Sequence, residues 1–532
     1  MTVWTYGRWV CGKREEPRGK GEKKNNPSSP LALGPSPRNR PHVHTFTRPY
    51  LILLILLGAA GCSFAPRLEQ PEAAQTIPER FEQAAMDDGT AQPLWWHGFN
   101  DPMLDQLVDT ALVRNLDLRV AVARVDELQS QYRIARAPLF PSVQASVSRD
   151  QQNTPANTGL GGQIGGDGDG GGEPTGGFAF PDRFDFTTYS ASLGFSYEID
   201  FWGRVRGSKN AALREFFASQ ADLRTARIGV IAETISTYFE LAEREHTLAL
   251  TQENVDLLAE RLELTQQRYE RGLVSSFELY AIEQEFEEAR SNLPLLESQL
   301  AEARGRLSVL LGRYHAPLAT VIVPAQAQAF NLEPIPAGLP SELLQQRPDV
   351  AAAAQRLEAA RQRIGVARAE QFPSFSLTGS GGTQSSALSD LVQTSQRFWL
   401  FGGSLTAPIF NGGAIRANIR ASWARYEQQA ATYEKTVLTA FKEVESALIA
   451  YQKQQEQYAF LQESLEAARD NAEAQEQRFI RGVGDYLAFL DARRNLVRIE
   501  TSVTASQRAL AAARLAVHRA LGGAWIEEQG GV

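Results

Sequence analysis

The sequence predicts a mixed fold in which two copies of one unit each combine short β-strands with a very long α-helix. Three observations predict it: an internal repeat, heptad patterns on two sides of long helices, and segments that alternate between apolar and polar residues. The chain has 532 residues, of which 43% are apolar and 22% are charged. It therefore has the composition of a folded protein and room for more than one domain.

Matched motifs at constant spacings indicate the internal repeat. Ala135-Arg136-Ala137 and Phe140-Pro141-Ser142 recur 232 residues later as Ala367-Arg368-Ala369 and Phe372-Pro373-Ser374. Four further pairs lie 210 residues apart: Gly203 and Gly413, Arg206 and Arg416, Arg271-Gly272 and Arg481-Gly482, and Leu311-Gly312 and Leu521-Gly522. The predicted boundaries are 92–323 for the first repeat, 324–340 for a linker, 341–525 for the second repeat and 526–532 for a tail.

Residues 1–61 are predicted to be a presequence and signal peptide outside the fold. The apolar run 51–60 is about half as long as a membrane-spanning helix, and it follows the positive flank Arg48. Residues 1–42 are basic and too long for the charged start of a signal peptide, so we expect translation to begin near Val43.

The apolar run ends in Ala-Ala-Gly-Cys at 59–62, which resembles a bacterial lipobox, although Ala59 stands where leucine is usual. The resemblance implies lipidation of Cys62, with 62–91 as a lipid-anchored tail. A plain signal peptide with an incidental cysteine is the alternative.

The first helix of each copy is predicted at about 103–137 and 341–369, because a Phe-Pro pair that cannot continue a helix follows each. Next in order come two strands and a helix that spans about 204–270 in the first copy, where no proline occurs from 182 to 293. At 1.5 Å per residue, that helix would be about 100 Å long.

Two lines of apolar residues recur every seven positions along this helix. The first seam is Leu241, Leu248, Val255, Leu262 and Tyr269, with Tyr451, Tyr458, Leu465, Ala472 and Phe479 in copy two. The second seam is Leu250, Leu257 and Leu264, with Phe460, Ala467 and Ala474 in copy two. The seams lie about 200° apart, so each helix has neighbours on two sides, which predicts a tube or sheet of helices. A two- or three-helix coiled coil is the alternative.

Each copy also contains two segments in which apolar and polar residues alternate. Their predicted apolar faces are Val143, Ala145 and Val147; Tyr189, Ala191, Leu193, Phe195, Tyr197 and Ile199; Phe375 and Leu377; and Trp399, Phe401, Leu405, Ala407 and Ile409. This pattern is typical of transmembrane barrel strands, although half-buried soluble sheets alternate as well. Four strands cannot close a barrel and lipid does not tolerate open edges, so several chains would have to supply strands. The glycine-rich stretch 158–177 is predicted to be an exterior loop.

Charge and residue usage exclude several functions. The net charge is −8; residues 1–61 carry +7, so the remainder carries −15, which disfavours nucleic acid. Two cysteines, Cys11 and Cys62, allow no disulfide framework, and six scattered histidines form no metal-ligand spacing. A Gly-Asp stretch at 165–172 suggests a calcium or phosphate loop, but it occurs once and lacks the Lys-Ser/Thr of a phosphate loop. We expect no enzyme, cofactor or metal.

Several motifs in order resemble the TolC-like outer-membrane efflux factors, in particular the lipid-anchored branch serving resistance-nodulation-division pumps. They are Leu94-Trp95-Trp96 with Phe99 and Asp101-Pro102, the run 197–204, the run 338–344, and Arg347-Pro348-Asp349-Val350. The resemblance covers nearly all of 92–525. It implies a homotrimer in which each chain lends four strands to a twelve-stranded barrel in the outer membrane and helices to a periplasmic tube. A periplasmic coiled-coil scaffold lipoprotein without a pore is the alternative.

The resemblance also implies functional residues and partners. The helix breaks at Arg271-Gly272 and Arg481-Gly482 correspond to periplasmic tips that meet an adaptor protein, which links the duct to an inner-membrane pump. Asp491 and Arg494 match a pair that lines the narrowest ring of the closed channel. Spacing alone also fits a solvated ion pair; the first copy has Ala281 and Gln284 there, so the repeat does not require the pair.

Overall fold

The computed structural model describes residues 64–67, 94–155, 183–314 and 347–523. Its helices are α1 (Pro102–Arg114), α2 (Leu116–Arg136), α3 (Arg204–Glu270), α4 (Ser276–Ser291), α5 (Leu293–Leu310), α6 (Pro348–Ala369), α7 (Ala414–Ile480) and α8 (Tyr486–Ala520). Its strands are β1 (Ser142–Pro155), β2 (Arg183–Ile199), β3 (Ser374–Ser385) and β4 (Arg397–Thr406). The predictions for the presequence, Cys62, the loop 158–177, the linker 324–340 and the tail 526–532 lie outside the described residues.

The predicted first helix, 103–137, is two helices, because Asn115 interrupts it. Asn115 has an extended backbone, and its side-chain oxygen accepts hydrogen bonds from the amides of Asp117 (2.9 Å) and Leu118 (3.1 Å). Asparagine is among the best N-cap residues, so the chain ends α1 and starts α2 at this point. In the second copy α6 begins at Pro348, and the predicted residues 341–346 are not described.

The two repeats fold alike at the predicted spacings. Both α3 and α7 have 67 residues, and α3 has the predicted bounds. Glycines with positive φ recur in pairs: Gly203 and Gly413, Gly272 and Gly482, and Gly312 and Gly522. The copies differ after the long helix, where α8 is continuous but the first copy is divided into α4 and α5. Pro294, which has no amide hydrogen to donate, lies at this division.

Two side chains at matching positions, Asn115 in the first repeat and Arg347 in the second, each bind the last helix of their own repeat. The Nδ2 of Asn115 donates to the carbonyl of Leu310 (3.1 Å), and the Nη1 of Arg347 donates to that of Ala520 (2.9 Å). Arg347 also forms ion pairs with Asp349 and Glu443, at 2.7 Å each. Burial alone would raise the pKa of Asp349, but the hydrogen bonds and charge of Arg347 lower it below its ordinary value. The Arg-Pro-Asp-Val motif therefore connects the start of α6 to the end of α8 and to α7.

The four strands form one antiparallel sheet in the order β1-β2-β3-β4. One row across it is Val143, Phe195, Gly379 and Phe401, in which Val143, Phe195 and Phe401 belong to the predicted apolar face. Phe195 lies over Gly379, where a Cβ would clash with the Phe195 ring, and the centroid of that ring is 6.1 Å from that of Phe401. The prediction for the last strand was too long. It ends at Thr406, so Ala407 and Ile409 lie beyond it, next to Pro408, which cannot donate to a sheet.

The opposite face of the sheet carries paired hydroxyl groups. The Oγ atoms of Ser146 and Ser192 are 2.9 Å apart, and those of Ser376 and Ser404 are 2.8 Å apart. One side of the sheet is thus mostly apolar, and the other carries paired serines together with the exposed Phe186 and Leu400. Within the described residues, β1 and β4 are edges with no further strand beside them.

Candidate functional site

The first predicted tip is a tight turn between α3 and α4. Gly272 has φ +70°, and its amide donates to the carbonyl of Tyr269 (2.8 Å), while the amide of Leu273 donates to that of Arg268 (2.9 Å). This is the hydrogen-bond pattern by which a glycine in the left-handed region ends a helix. The Ser275 side chain then caps α4.

The second predicted tip repeats this turn 210 residues later. Gly482 has φ +73°, the amide of Val483 donates to the carbonyl of Arg478 (3.0 Å), and Asp485 caps α8. Each turn exposes one apolar side chain at the same position, Leu273 and Val483, both 70% accessible. The helix breaks predicted at Arg271-Gly272 and Arg481-Gly482 are therefore confirmed as turns.

The two helical hairpins pack on one another through a shared apolar cluster. Its buried members come from α3, α4 and α8: Leu258, Ile282, Tyr486, Phe489 and Leu490. Arg261 of α3 closes it, because its guanidinium lies 5.3 Å from the Phe489 ring and forms an ion pair with Glu476 of α7 (2.8 Å). The tips thus belong to one four-helix unit.

The first hairpin nevertheless leaves two aromatic side chains uncovered near its turn. Phe277 and Tyr280 on α4 are 64% and 65% accessible. In the second copy the position that matches Tyr280 is Leu490, which is buried in the cluster. The α4 aromatics are therefore not needed for the packing that the described residues contain.

Asp491 and Arg494 lie on α8, one turn apart, as predicted. The Arg494 Nη1 and the Asp491 Oδ1 are 3.2 Å apart, and the two side chains are 58% and 72% accessible. An ion pair this exposed contributes little by itself.

Arg494 has a stronger partner that the sequence does not reveal, Glu285 of α4. The Arg494 Nε donates to Glu285 Oε1 (3.1 Å) and Nη2 donates to Oε2, which makes a bidentate pair. The Glu285 side chain is only 18% accessible, and its hydrogen bond raises the pKa of Arg494. Arg494 therefore links the first repeat to the second. The partners are 209 residues apart, and no local sequence pattern indicates such a contact.

Two negative observations apply to the described ranges alone. No three His, Cys, Asp or Glu side chains there are grouped so as to hold a metal ion. None of the helices in those ranges combines the length and hydropathy required to cross a bilayer. Cys62 falls outside the described residues.

Comparisons with known proteins agree on the kind of protein that this chain resembles. Residues 107–313 and 339–523 match the family described as outer membrane efflux protein. The probable efflux pump outer membrane protein TtgC of Pseudomonas putida is 34% identical over 476 residues, covering 88% of this chain and 94% of that protein. The outer membrane protein OprJ of Pseudomonas aeruginosa is 34% identical over 479 residues, covering 89% and 95%. The solved outer-membrane channel OprN has a TM-score of 0.77 at 29% identity, covering 87% of this chain and all of that one.

Proposed function

The chain belongs to the outer membrane efflux protein family, and on this premise we propose that it is the outer-membrane exit duct of a tripartite efflux pump. In this role it is a passive channel of the outer membrane that extends into the periplasm and docks a periplasmic adaptor, which connects it to an inner-membrane pump. A transport role of this kind needs no catalytic group.

The observation that carries the proposal is the sheet with one mostly apolar face and one face that bears paired serines, continued by two helices of 67 residues. An apolar outer face suits lipid, and paired serines suit a water-filled lumen. A helix of 67 residues is about 100 Å long, which suits a tube that continues far from the membrane. A scaffold lipoprotein without a pore would leave this sheet unexplained.

We propose that the working form is a homotrimer. The sheet has open edges at β1 and β4, which lipid does not tolerate, so copies of the chain must continue it. The seams support the same conclusion. Leu241 and Val255 of the first seam are buried within one chain, whereas Phe460 of the second seam is 67% accessible. A second seam that faces outward leaves a surface for a neighbouring chain.

We propose that the tips at Arg271-Gly272 and Arg481-Gly482 dock the adaptor. Each turn presents one exposed apolar residue, Leu273 or Val483, and the first hairpin adds Phe277 and Tyr280. Exposed aromatic and aliphatic side chains on rigid turns are suited to fill pockets on a partner protein.

The pair Asp491 and Arg494, with Glu285, is the proposed gate near the periplasmic end. If three chains meet on an axis, three exposed Asp491 carboxylates repel one another unless a cation offsets them. Arg494 supplies that cation while Glu285 holds it in place, so the gate depends on a contact between repeats. We also propose that Cys62 carries the lipid of the mature N terminus.

Fractionation distinguishes the duct from a scaffold lipoprotein. We expect the native protein in outer-membrane fractions as a trimer band that shifts to the monomer position on heating. We expect intact mass to show acylated Cys62 as the first residue. A protein that fractionates as a monomer without a heat-dependent shift would support the scaffold instead, and an unmodified Cys62 would contradict lipidation alone.

A further inference from the structure

A small pocket, called the arginine pocket below, lies between α3 and α8 at the edge of the shared apolar cluster. The α3 residues that line it are Asn254, Leu257, Leu258 and Arg261. They share one face of the helix, because residues three and four positions apart are neighbours on a helix surface. The remaining lining residues are Glu285 of α4 and, on α8, Phe489, Leu490, Arg493 and Arg494.

The size and surroundings of the arginine pocket restrict what it can hold. Its volume is about 10 Å³, which is room for roughly one water-sized particle. Leu258, Phe489 and Leu490, which form part of its wall, are buried in the apolar cluster. Charges beside such a wall are poorly screened by water, so an unbalanced charge there is costly.

Two of the three arginines that line the pocket already have carboxylate partners. The Arg261 Nη2 donates to Glu476 (2.8 Å). Arg494 forms the bidentate pair with Glu285 and the longer contact with Asp491 (3.2 Å). The positive charges of Arg261 and Arg494 are therefore balanced within the chain.

Arg493 differs from the other two arginines of the pocket. Among the described residues it forms no ion pair, and its Nε is buried without a hydrogen-bond partner. Buried polar groups of native proteins are almost always paired with protein, water or an ion, so this nitrogen indicates a partner from outside the chain. Because the guanidinium of Arg493 carries one unbalanced positive charge, a monovalent anion is the partner that offsets it.

The internal repeat does not explain the three arginines. The matching residues, 210 positions away in the other copy, are neutral or acidic: Asn471, Glu283 and Gln284 for Arg261, Arg493 and Arg494. The arginine at 493 is therefore specific to the place where α3 of the first repeat meets α8 of the second.

We propose that the arginine pocket binds one chloride ion through the Arg493 Nε. Phosphate, sulfate and carboxylates are too large for the pocket, whereas chloride is only slightly larger than water. A water molecule would accept the hydrogen bond from Nε but would leave the charge of Arg493 unbalanced. The bound ion would strengthen the contact between α3 and α8, and hence between the two repeats. The site adjoins Arg494 and Glu285 but does not depend on the proposed gate or channel.

Thermal unfolding of the purified protein in a non-ionic detergent tests the site. A ligand that binds only the folded state raises the melting temperature. We expect the wild-type protein to melt a few degrees higher in sodium chloride than in sodium isethionate at the same ionic strength and pH, because isethionate is too large to enter. Arg493→Gln, which keeps a hydrogen-bond donor but removes the charge, should melt at the same temperature in both salts.

Arg498→Gln is the matched control. Arg498 lies on the same helix and also has no carboxylate partner among the described residues, but it is exposed, does not line the pocket and donates to Asn495 (2.6 Å). This variant should keep the wild-type difference between the two salts. Loss of the difference in both variants would mean that chloride acts on the general surface charge of α8, which contradicts the site.

Crystals of the wild-type protein grown in sodium bromide need no variant to fold. We expect an anomalous difference peak in contact with the Arg493 Nε, since bromide replaces chloride in such sites. Without a peak, or with a peak but equal wild-type melting temperatures in the two salts, the inference would be wrong. The second result would mean binding at crystal concentration only. Neither measurement reads conductance or membrane fraction, so failure of this site is distinguishable from failure of the proposed duct.

Discussion

At the residue scale, the features that could be predicted are those with a local cause. Gly272 and Gly482 could be predicted because a helix that turns back needs a residue in the left-handed region, and glycine adopts it without strain. Asp491 and Arg494 could be found because they lie one helical turn apart. Glu285 could not, because its contact with Arg494 depends on how α4 packs against α8.

The gate makes a prediction for single substitutions. A partly exposed ion pair contributes up to about 1 kcal/mol, so losing three copies should raise the open population by roughly two orders of magnitude. We expect Arg494→Ala and Glu285→Ala to make cells more sensitive to vancomycin, which is too large to cross an intact outer membrane readily. Asp491→Ala should have a smaller effect, because its single contact is long and exposed.

Arg469→Ala is the matched control for the gate variants. Arg469 also pairs across helices with a partly buried glutamate, Glu500, at 3.3 Å, and its own exposure is similar to that of Arg494. The Arg469→Ala variant should retain wild-type resistance to vancomycin. Equal sensitivity of all four variants, at equal protein levels, would mean that ion-pair loss acts through stability and not through a gate.

His518 makes a prediction about pH. It stacks on Trp95 at 4.8 Å, and burial, with the nearby charge of Arg514, lowers its pKa to about 4. A histidine with a lowered folded-state pKa stabilises the fold above its unfolded pKa of about 6.5, and this contribution is lost as pH falls towards 4. The loss is at most roughly 3 kcal/mol per chain.

We therefore expect His518→Phe, which preserves the stacking, to reduce the loss of thermal stability of the trimer between pH 7 and pH 4.5. The measurement is the difference in melting temperature between wild type and variant across this range, since other groups titrate equally in both. Parallel curves would show that His518 does not contribute to acid sensitivity.

At the element scale, the periodicity of apolar residues predicted the type and length of an element correctly where no competing hydrogen bond or proline interrupted it. The long helix was predicted at its observed bounds because 67 residues lack any proline or other break. The first helix was predicted too long because Asn115 offers the backbone a competing hydrogen bond that apolar spacing does not reveal. The alternating pattern identified the faces of the sheet correctly, but it extended β4 past the point where Pro408 ends hydrogen bonding.

The second seam predicts how chains associate. Phe460 is exposed in the single chain although it lies on a heptad line of apolar residues. A buried charge at a helix contact is strongly destabilising, so Phe460→Asp should abolish the heat-modifiable trimer. Gln455→Asp is the control: it introduces the same charge at an exposed site of α7, about 140° around the helix. A trimer that tolerates Phe460→Asp as well as Gln455→Asp would contradict an interface on this seam.

At the scale of the whole molecule, the repeat explains most of the architecture. The constant spacings of 232 and 210 residues predicted that each half has the same order of elements: a helix, two strands, a very long helix and, after a break, a last helix. The structure adds hydrogen bonds between distant parts of each repeat that the spacings did not reveal. Examples are the bond from Asn115 to Leu310 and the matching bond from Arg347 to Ala520. The described residues of a single chain leave open sheet edges and an outward seam, which further copies of the same chain would cover in the proposed homotrimer.

Ion conductance of the purified trimer in planar bilayers tests the central claim most directly, namely that several copies of this chain enclose one water-filled duct with a gate at its periplasmic end. The wild-type trimer should conduct little, since the proposed gate would be closed at rest. The variant that combines Asp491→Ala with Arg494→Ala should open in discrete steps of clearly larger conductance. If neither protein conducted while both remained intact trimers in the bilayer, the chain would not form a duct. Equal conductance of the two would place the constriction elsewhere.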